Sequence, residues 1–102
     1  MADPTPEQIQ EVTRVIEAAF QDAAVPKLYA NGFHLGQSPS DVFIVPLLGG
    51  KPLAIQYISF ATAKTLMLNL QSMIRKLEKQ TKQRVLSTDD IQQRMAPVEL
   101  PK

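Results

Sequence analysis

The chain has 102 residues, no cysteine and a formal net charge of +1, and 44% of its residues are hydrophobic. This length is typical of one domain, so we expect a single domain over residues 1–102. The lack of cysteine excludes disulfide bonds and thiolate metal ligands, and the small net charge excludes a globally basic surface. The first residues do not resemble a signal peptide, and no apolar run is long enough to span a membrane. We therefore expect a cytoplasmic location and no membrane association.

The first predicted element is a helix over residues 5–24. Thr5 is placed to act as its N-cap, Pro6 suits the first helical position, and Gln8 completes a capping box. Apolar residues then recur at three- and four-residue spacing, which is typical of an amphipathic helix. They are Ile9, Val12, Val15, Ile16, Ala19, Phe20 and Ala23. Pro26 cannot continue the helix, so the helix should end shortly before it.

Three antiparallel strands are predicted over residues 27–59. The segment KLYANGFHLG alternates in polarity, VFIVPLL is a continuous apolar run, and LAIQYIS alternates again. The turn sequences QSPSD and GGKP separate these segments, and such short connections are typical of antiparallel neighbours. Pro46 lies inside the middle strand, where proline cannot donate a ladder hydrogen bond. We therefore expect either a bulge at Pro46 or an end of regular pairing near Val45.

A long amphipathic helix packed on the sheet is predicted over residues 61–83. Its apolar residues form one stripe, which we interpret as core. The stripe consists of Ala63, Leu66, Met67, Leu70, Met73, Ile74 and Leu77. Leu68 lies off this stripe and Phe60 lies at the helix entry, so these two residues are candidates for a dimer seam.

A short helix is predicted over residues 88–95, with Ser87 as its cap and Asp90 three residues later. Residues 97–102 are rich in proline and are expected to form a mobile tail. The predicted fold class is therefore α+β. It comprises an N-terminal helix, a three-stranded antiparallel meander, a long amphipathic helix on the sheet and a short C-terminal helix.

The sequence offers little to support catalysis. His34 is the only histidine and has no neighbouring carboxylate or cysteine, whereas catalytic and metal-binding histidines need partners. A structural or solvent-facing role is therefore predicted for it. The segment LLGGKP lacks the spacing of a phosphate loop and precedes a strand, which favours a hairpin turn. We expect no enzyme activity, no cofactor and no metal site; an enzyme in which His34 and Asp41 converge is the third alternative.

The end of the long helix is basic. This end contains five cationic residues and a single acidic residue, Glu78. The cationic residues are Arg75, Lys76, Lys79, Lys82 and Arg84. Three explanations are open. The cations complement the helix dipole, or they meet the acidic first helix within a chain or across a dimer, or they bind nucleic-acid phosphate. The third explanation lacks the aromatic residues of single-strand binders and a recognisable helix-turn-helix or zinc module.

The order of several short motifs resembles a small prokaryotic family that is described only as a domain of unknown function. The resemblance covers about residues 28 to 82. The matching residues are Tyr29, Asn31, Ser40, Asp41, Val42, Ala63, Lys64, Leu66, Leu70, Ile74 and Glu78. The resemblance implies a strand meander followed by a long helix that carries an Ala-Lys pair. It implies no activity and supplies no catalytic residues, because no activity is established for that family.

A homodimer is expected from the architecture. The predicted sheet has two faces and two exposed edges, and the chain supplies one long and one medium helix to cover them. We therefore expect a dimeric, non-enzymatic protein-interaction module of adaptor, chaperone-like or regulatory type, with an unknown protein partner. The alternative is a nucleic-acid-binding protein that uses the basic end of the long helix.

Overall fold

The computed structural model describes residues 3–95. Within this range the chain forms three α-helices and one antiparallel sheet of four strands. In chain order the elements are α1 (Pro6–Gln21), β1 (Gly32–Gln37), β2 (Asp41–Leu48), β3 (Lys51–Pro52), β4 (Gln56–Ser59), α2 (Phe60–Thr81) and α3 (Thr88–Met95). The predicted α+β class is confirmed. The tail predicted over residues 97–102 lies outside the described residues.

The start of α1 follows the predicted capping box, but its end differs. The Oγ1 atom of Thr5 accepts a hydrogen bond from the backbone N–H of Gln8 (3.2 Å), and the Gln8 side chain accepts one from the backbone N–H of Thr5 (2.8 Å). The helix ends at Gln21 rather than near residue 24. Asp22 leaves the helical conformation, with ψ of 112°, and its carboxylate accepts the backbone N–H of Ala24 at 2.9 Å. Such local bonding by aspartate competes with helix continuation.

The long apolar strand β2 is the centre of the sheet. On one side it pairs with all of β1, from Gly32 opposite Leu47 to Gln37 opposite Val42. On the other side it pairs with both β3 and β4. The prediction of three strands is corrected to four, because the last predicted strand is divided into two pieces.

A bulge opposite Pro46 causes this division. The residues of β4 oppose β2 up to Ile44, and those of β3 oppose it from Leu47 onward. Between these points the three residues 53–55 face only Val45 and Pro46, which is the arrangement of a β-bulge. The Pro46 carbonyl accepts the backbone N–H of Leu53 at 2.9 Å, whereas its own nitrogen has no hydrogen to donate. The predicted bulge at Pro46 is therefore present on this side of the strand.

The hairpin between β2 and β3 turns through two glycines. Gly49 and Gly50 have φ angles of 59° and 80°, the positive values that a two-residue type I′ turn requires. The Oδ1 atom of Asn31 accepts the backbone N–H of Gly49 at 3.1 Å, which ties the turn to the start of β1. LLGGKP is thus a hairpin, as its sequence predicts.

The long helix α2 follows β4 without a loop. The hydroxyl of Ser59 accepts the backbone N–H of Thr62 at 3.0 Å, so the helix begins at Phe60 instead of residue 61. It ends at Thr81 instead of residue 83, because Lys82 adopts a left-handed conformation with φ of 54°. A residue in this conformation commonly terminates a helix.

The two faces of the sheet carry different side chains. Phe33, Leu35, Val42, Ile44 and Ile58 lie on the face towards α2, in the alternation expected for strands. On the opposite face, the aromatic rings of Phe43 and Tyr57 are 6.0 Å apart between centroids and tilted by 57°.

Gly36 also lies on this second face, directly under the ring of Phe43. A Cβ atom at Gly36 would overlap the ring of Phe43, whereas a Cβ atom at Gly32 in the same strand would meet only ordinary contacts at 3.9 Å. We therefore expect Gly36→Ala to displace the Phe43 ring and to lower the free energy of unfolding by about 1–3 kcal/mol. Gly32→Ala should change it by less than about 0.5 kcal/mol. Urea denaturation of both variants measures the difference, and equal stability would contradict the close packing of Phe43 on β1.

Candidate interaction surface

The single chain has almost no buried core. It exposes 9541 Å² of surface, whereas a compact monomer of 11.3 kDa exposes about 5,700 Å². Its radius of gyration is 17.9 Å, against about 13 Å for a compact chain of this length. Within residues 3–95, Leu47 is the one apolar side chain that is buried. The chain therefore presents apolar surface to solvent that a compact domain would cover.

The largest share of this surface lies on α2. The first half of the helix packs on the sheet, as predicted. The larger side chains of its stripe, from Leu66 to Leu77, nevertheless remain between 39% and 65% exposed. The interpretation of the whole stripe as core is therefore wrong for the single chain. A helix of 22 residues is about 33 Å long, and only its residues from Ala63 to Leu70 line the groove with the sheet, so the second half of α2 extends past the sheet.

An apolar groove lies between the sheet and the first half of α2. Its volume is about 420 Å³, and its lining is almost entirely apolar. The groove is lined by Phe33, Leu35, Val42, Ile44, Ile58, Ala63, Leu66, Met67 and Leu70. Because it is continuous with the exposed stripe, the two form one apolar surface that we call the α2 surface.

A second apolar surface lies on α1. Its stripe residues Ile9, Val12, Val15, Ile16 and Phe20 are 50% to 71% exposed. In the part of the chain that the structure describes, α1 makes no extensive contact with the sheet or with α2. Residues 26–30, which lead from α1 towards β1, are exposed and belong to no helix or strand. The first helix thus stands away from the rest of the chain.

The basic end of α2 is divided between two places. Lys79, Lys82 and Arg84 line an open depression of about 510 Å³, together with Glu78 and Gln83. Arg75 lies in another depression of about 480 Å³, beside Leu68 and two polar residues. Lys76 is exposed and lines neither depression. The structure therefore brings together three of the five predicted contact residues.

Two acidic residues lie near this basic end. The carboxylate of Glu78 accepts the backbone N–H of Val85 at 2.9 Å, which ties the following loop to the helix. The guanidinium of Arg84 lies 3.8 Å from the carboxylate of Asp90. Arg75, Lys76, Lys79 and Lys82 form no ion pair within residues 3–95. Of these four, Lys79 and Lys82 share one depression.

The Asp90 carboxylate belongs to the predicted cap of α3. It accepts the backbone N–H of Ser87 at 3.1 Å, and the Ser87 hydroxyl accepts the backbone N–H of Asp90 at 3.1 Å. The hydrogen bonds with Ser87 hold the pKa of Asp90 below its usual value, and the nearby charges of Arg84 and Arg94 lower it further. Asp90 therefore remains ionised opposite Arg84 at neutral pH.

The predicted seam residues are both accessible. Phe60 is 46% exposed and Leu68 is 41% exposed. Leu68 lies two positions from Leu70, which places it about 200° around the helix, on the side away from the stripe. Phe60 and Leu68 stay predictions as seam residues. The sequence did not reveal the α2 surface as a larger candidate interface. Periodicity shows that an apolar stripe must be buried, but it does not show whether the same chain or another chain buries it.

The structure does not bring His34 and Asp41 together within one chain. His34 is exposed and lies opposite Val45, four residues along β2 from Asp41. Four strand residues span about 13 Å. No group of three or more potential metal-ligating side chains is found between residues 3 and 95. In the same range, none of the helices combines the length and the apolar character that crossing a membrane requires.

No protein-family model, no curated protein and no solved structure matches this chain. The resemblance to a prokaryotic family of unknown function therefore stays a prediction.

Proposed function

We propose that the protein is a small cytoplasmic homodimer that acts as a non-enzymatic protein-interaction module of adaptor, chaperone-like or regulatory type. One observation carries this proposal: the α2 surface is apolar, continuous and open to solvent in the single chain. Monomeric proteins rarely expose apolar patches of this kind, and larger ones mark interaction sites.

The excess surface is of the size that a stable dimer needs. The chain exposes about 3,800 Å² more than a compact monomer of its mass. Obligate homodimers remove about 1,000–2,500 Å² from each partner. A dimer can therefore cover the stripe of α2 and still leave apolar surface for a different protein.

The face of the sheet that points away from α2 is the candidate for that second partner. Tyr57 is exposed there and packs against Phe43. Aromatic side chains supply large contact areas and are enriched at protein interfaces. This face lies opposite the groove, so it stays accessible when the α2 surface is covered.

The mass of the protein in solution tests the proposed dimer. Size-exclusion chromatography with light scattering at micromolar concentration should give twice 11.3 kDa. Leu70→Glu puts a charge in the stripe and should weaken the dimer at least tenfold, since burying an unpaired charge is costly. Ser72→Glu adds the same charge beside Leu68, on the opposite side of α2; it should leave the dimer intact because the stripe is the interface, and an equal loss of the dimer would place the seam at Leu68 instead.

Circular dichroism of both variants controls for loss of folding. A monomeric mass for the unaltered protein would contradict the proposal, as would equal dimerisation of the two variants.

The alternative function is nucleic-acid binding at the basic end of α2. The observation that favours it is the shared depression lined by Lys79, Lys82 and Arg84. Binding to phosphate depends strongly on salt and is tightest at low ionic strength. If this function holds, generic DNA or RNA should bind at low salt, and Lys79→Glu with Lys82→Glu should abolish the binding. Fluorescence anisotropy measures it, and no binding at about 20 mM salt would remove the alternative.

A further inference from the structure

We infer that, in the homodimer, α1 of each copy lies on the stripe of α2 of the other copy, antiparallel to it. This inference rests on the proposed dimer and names the segment that covers the α2 surface. The arrangement is an exchange of N-terminal arms across a two-fold axis, which makes two identical contacts from one helix pairing.

The two apolar stripes match in length. The 16 residues of α1 form a helix about 24 Å long, and the stripe of α2 from Ala63 to Leu77 extends for about 21 Å. Both stripes are exposed in the single chain, although the sheet lies beside the first half of the α2 stripe. Packing one on the other would cover both with a single interface.

The charges of the two helices are complementary. Glu7, Glu11, Glu17 and Asp22 lie in or just after α1, against the single cation Arg14. Arg14 is paired with Glu11 of its own helix at 2.6 Å, which leaves the other carboxylates without a cation in the described chain. The end of α2 has the opposite excess of charge, with Lys79 and Lys82 unpaired in the same range.

The antiparallel direction is favoured by the helix dipoles. It brings the positive end of each dipole beside the negative end of the other, which is favourable. A parallel arrangement would place like ends of the two dipoles together.

The same direction brings Phe20 to the apolar groove. Phe20 is the largest apolar side chain of α1, lies in its last turn and is 71% exposed. The groove lies at the first half of α2, and the last turn of an antiparallel α1 reaches this half. An aromatic ring that fills an apolar groove is a common anchor of protein interfaces.

The extended linker favours exchange between copies over folding back within one chain. Residues 26–30 are exposed and irregular, and they hold α1 away from its own α2. The chain reaches 64 Å along its longest axis. A second copy can therefore receive α1 without any rearrangement of the sheet or of α2.

Cross-linking between differently tagged copies tests the inference. The protein has no cysteine, so single cysteines can be introduced without background. Copies that carry Val12→Cys are mixed with copies that carry Met73→Cys and are then oxidised. The two stripes meet near these positions in the antiparallel dimer, so a covalent heterodimer should form. Gln10→Cys, on the polar side of α1, is the matched control and should give at least tenfold less product with Met73→Cys.

The outcomes separate the inference from the proposed dimer. A monomeric mass for the unaltered protein overturns both. A dimeric mass with no more product from Val12→Cys than from Gln10→Cys overturns the arm exchange alone. A third result also overturns the arm exchange. If a chain that carries both Val12→Cys and Met73→Cys forms mainly an intramolecular disulfide, α1 lies on its own α2.

A second cysteine pair tests the direction. Phe20→Cys should cross-link to Leu66→Cys of the other copy more than to Leu77→Cys, because an antiparallel α1 places its last turn at the first half of α2. More product with Leu77→Cys than with Leu66→Cys would overturn the proposed direction.

Discussion

The apolar stripe of α2 has only a small sheet to pack against, and this mismatch governs the rest of the molecule. The helix is about 33 Å long, but only its first half lines the groove with sheet residues. Its second half, with Met73, Ile74 and Leu77, projects past the sheet and stays exposed. Exposed apolar area is unfavourable by about 25 cal/mol per Å². The single chain therefore gains little stability from burial of this helix.

The sheet itself is organised around one strand. All three other strands pair with β2, and the bulge opposite Pro46 allows a proline to lie in this central position. A proline inside a strand removes a ladder hydrogen bond, and the bulge provides Leu53 as a donor to its carbonyl. The result is a sheet with two distinct faces, one towards α2 and one with the Phe43–Tyr57 pair. We propose that these two faces serve two different contacts, self-association and partner binding.

Local signals in the sequence predicted local structure well. The capping pairs Thr5–Gln8 and Ser87–Asp90 and the Gly49–Gly50 hairpin all depend on residues within a few positions of each other, and all are present. The end of α1 was harder to predict, because the Asp22 turn competes with helical pairing that the apolar spacing alone would extend. The exposure of α2 could not be predicted, since it depends on the sheet's size and on where α1 lies. The basic end was visible in the sequence, but its division between Arg75 and the Lys79–Arg84 depression depends on the three-dimensional path of the loop.

We propose that a second copy completes the fold, and the dependence of thermal stability on protein concentration tests this most directly. When a partner binds only the folded state, mass action raises Tm as protein concentration increases. Calorimetric scans over a hundredfold range of concentration should therefore show Tm rising steadily with concentration. A Tm that stays constant over the whole range would contradict the account, because the single chain would then be stable without its partner.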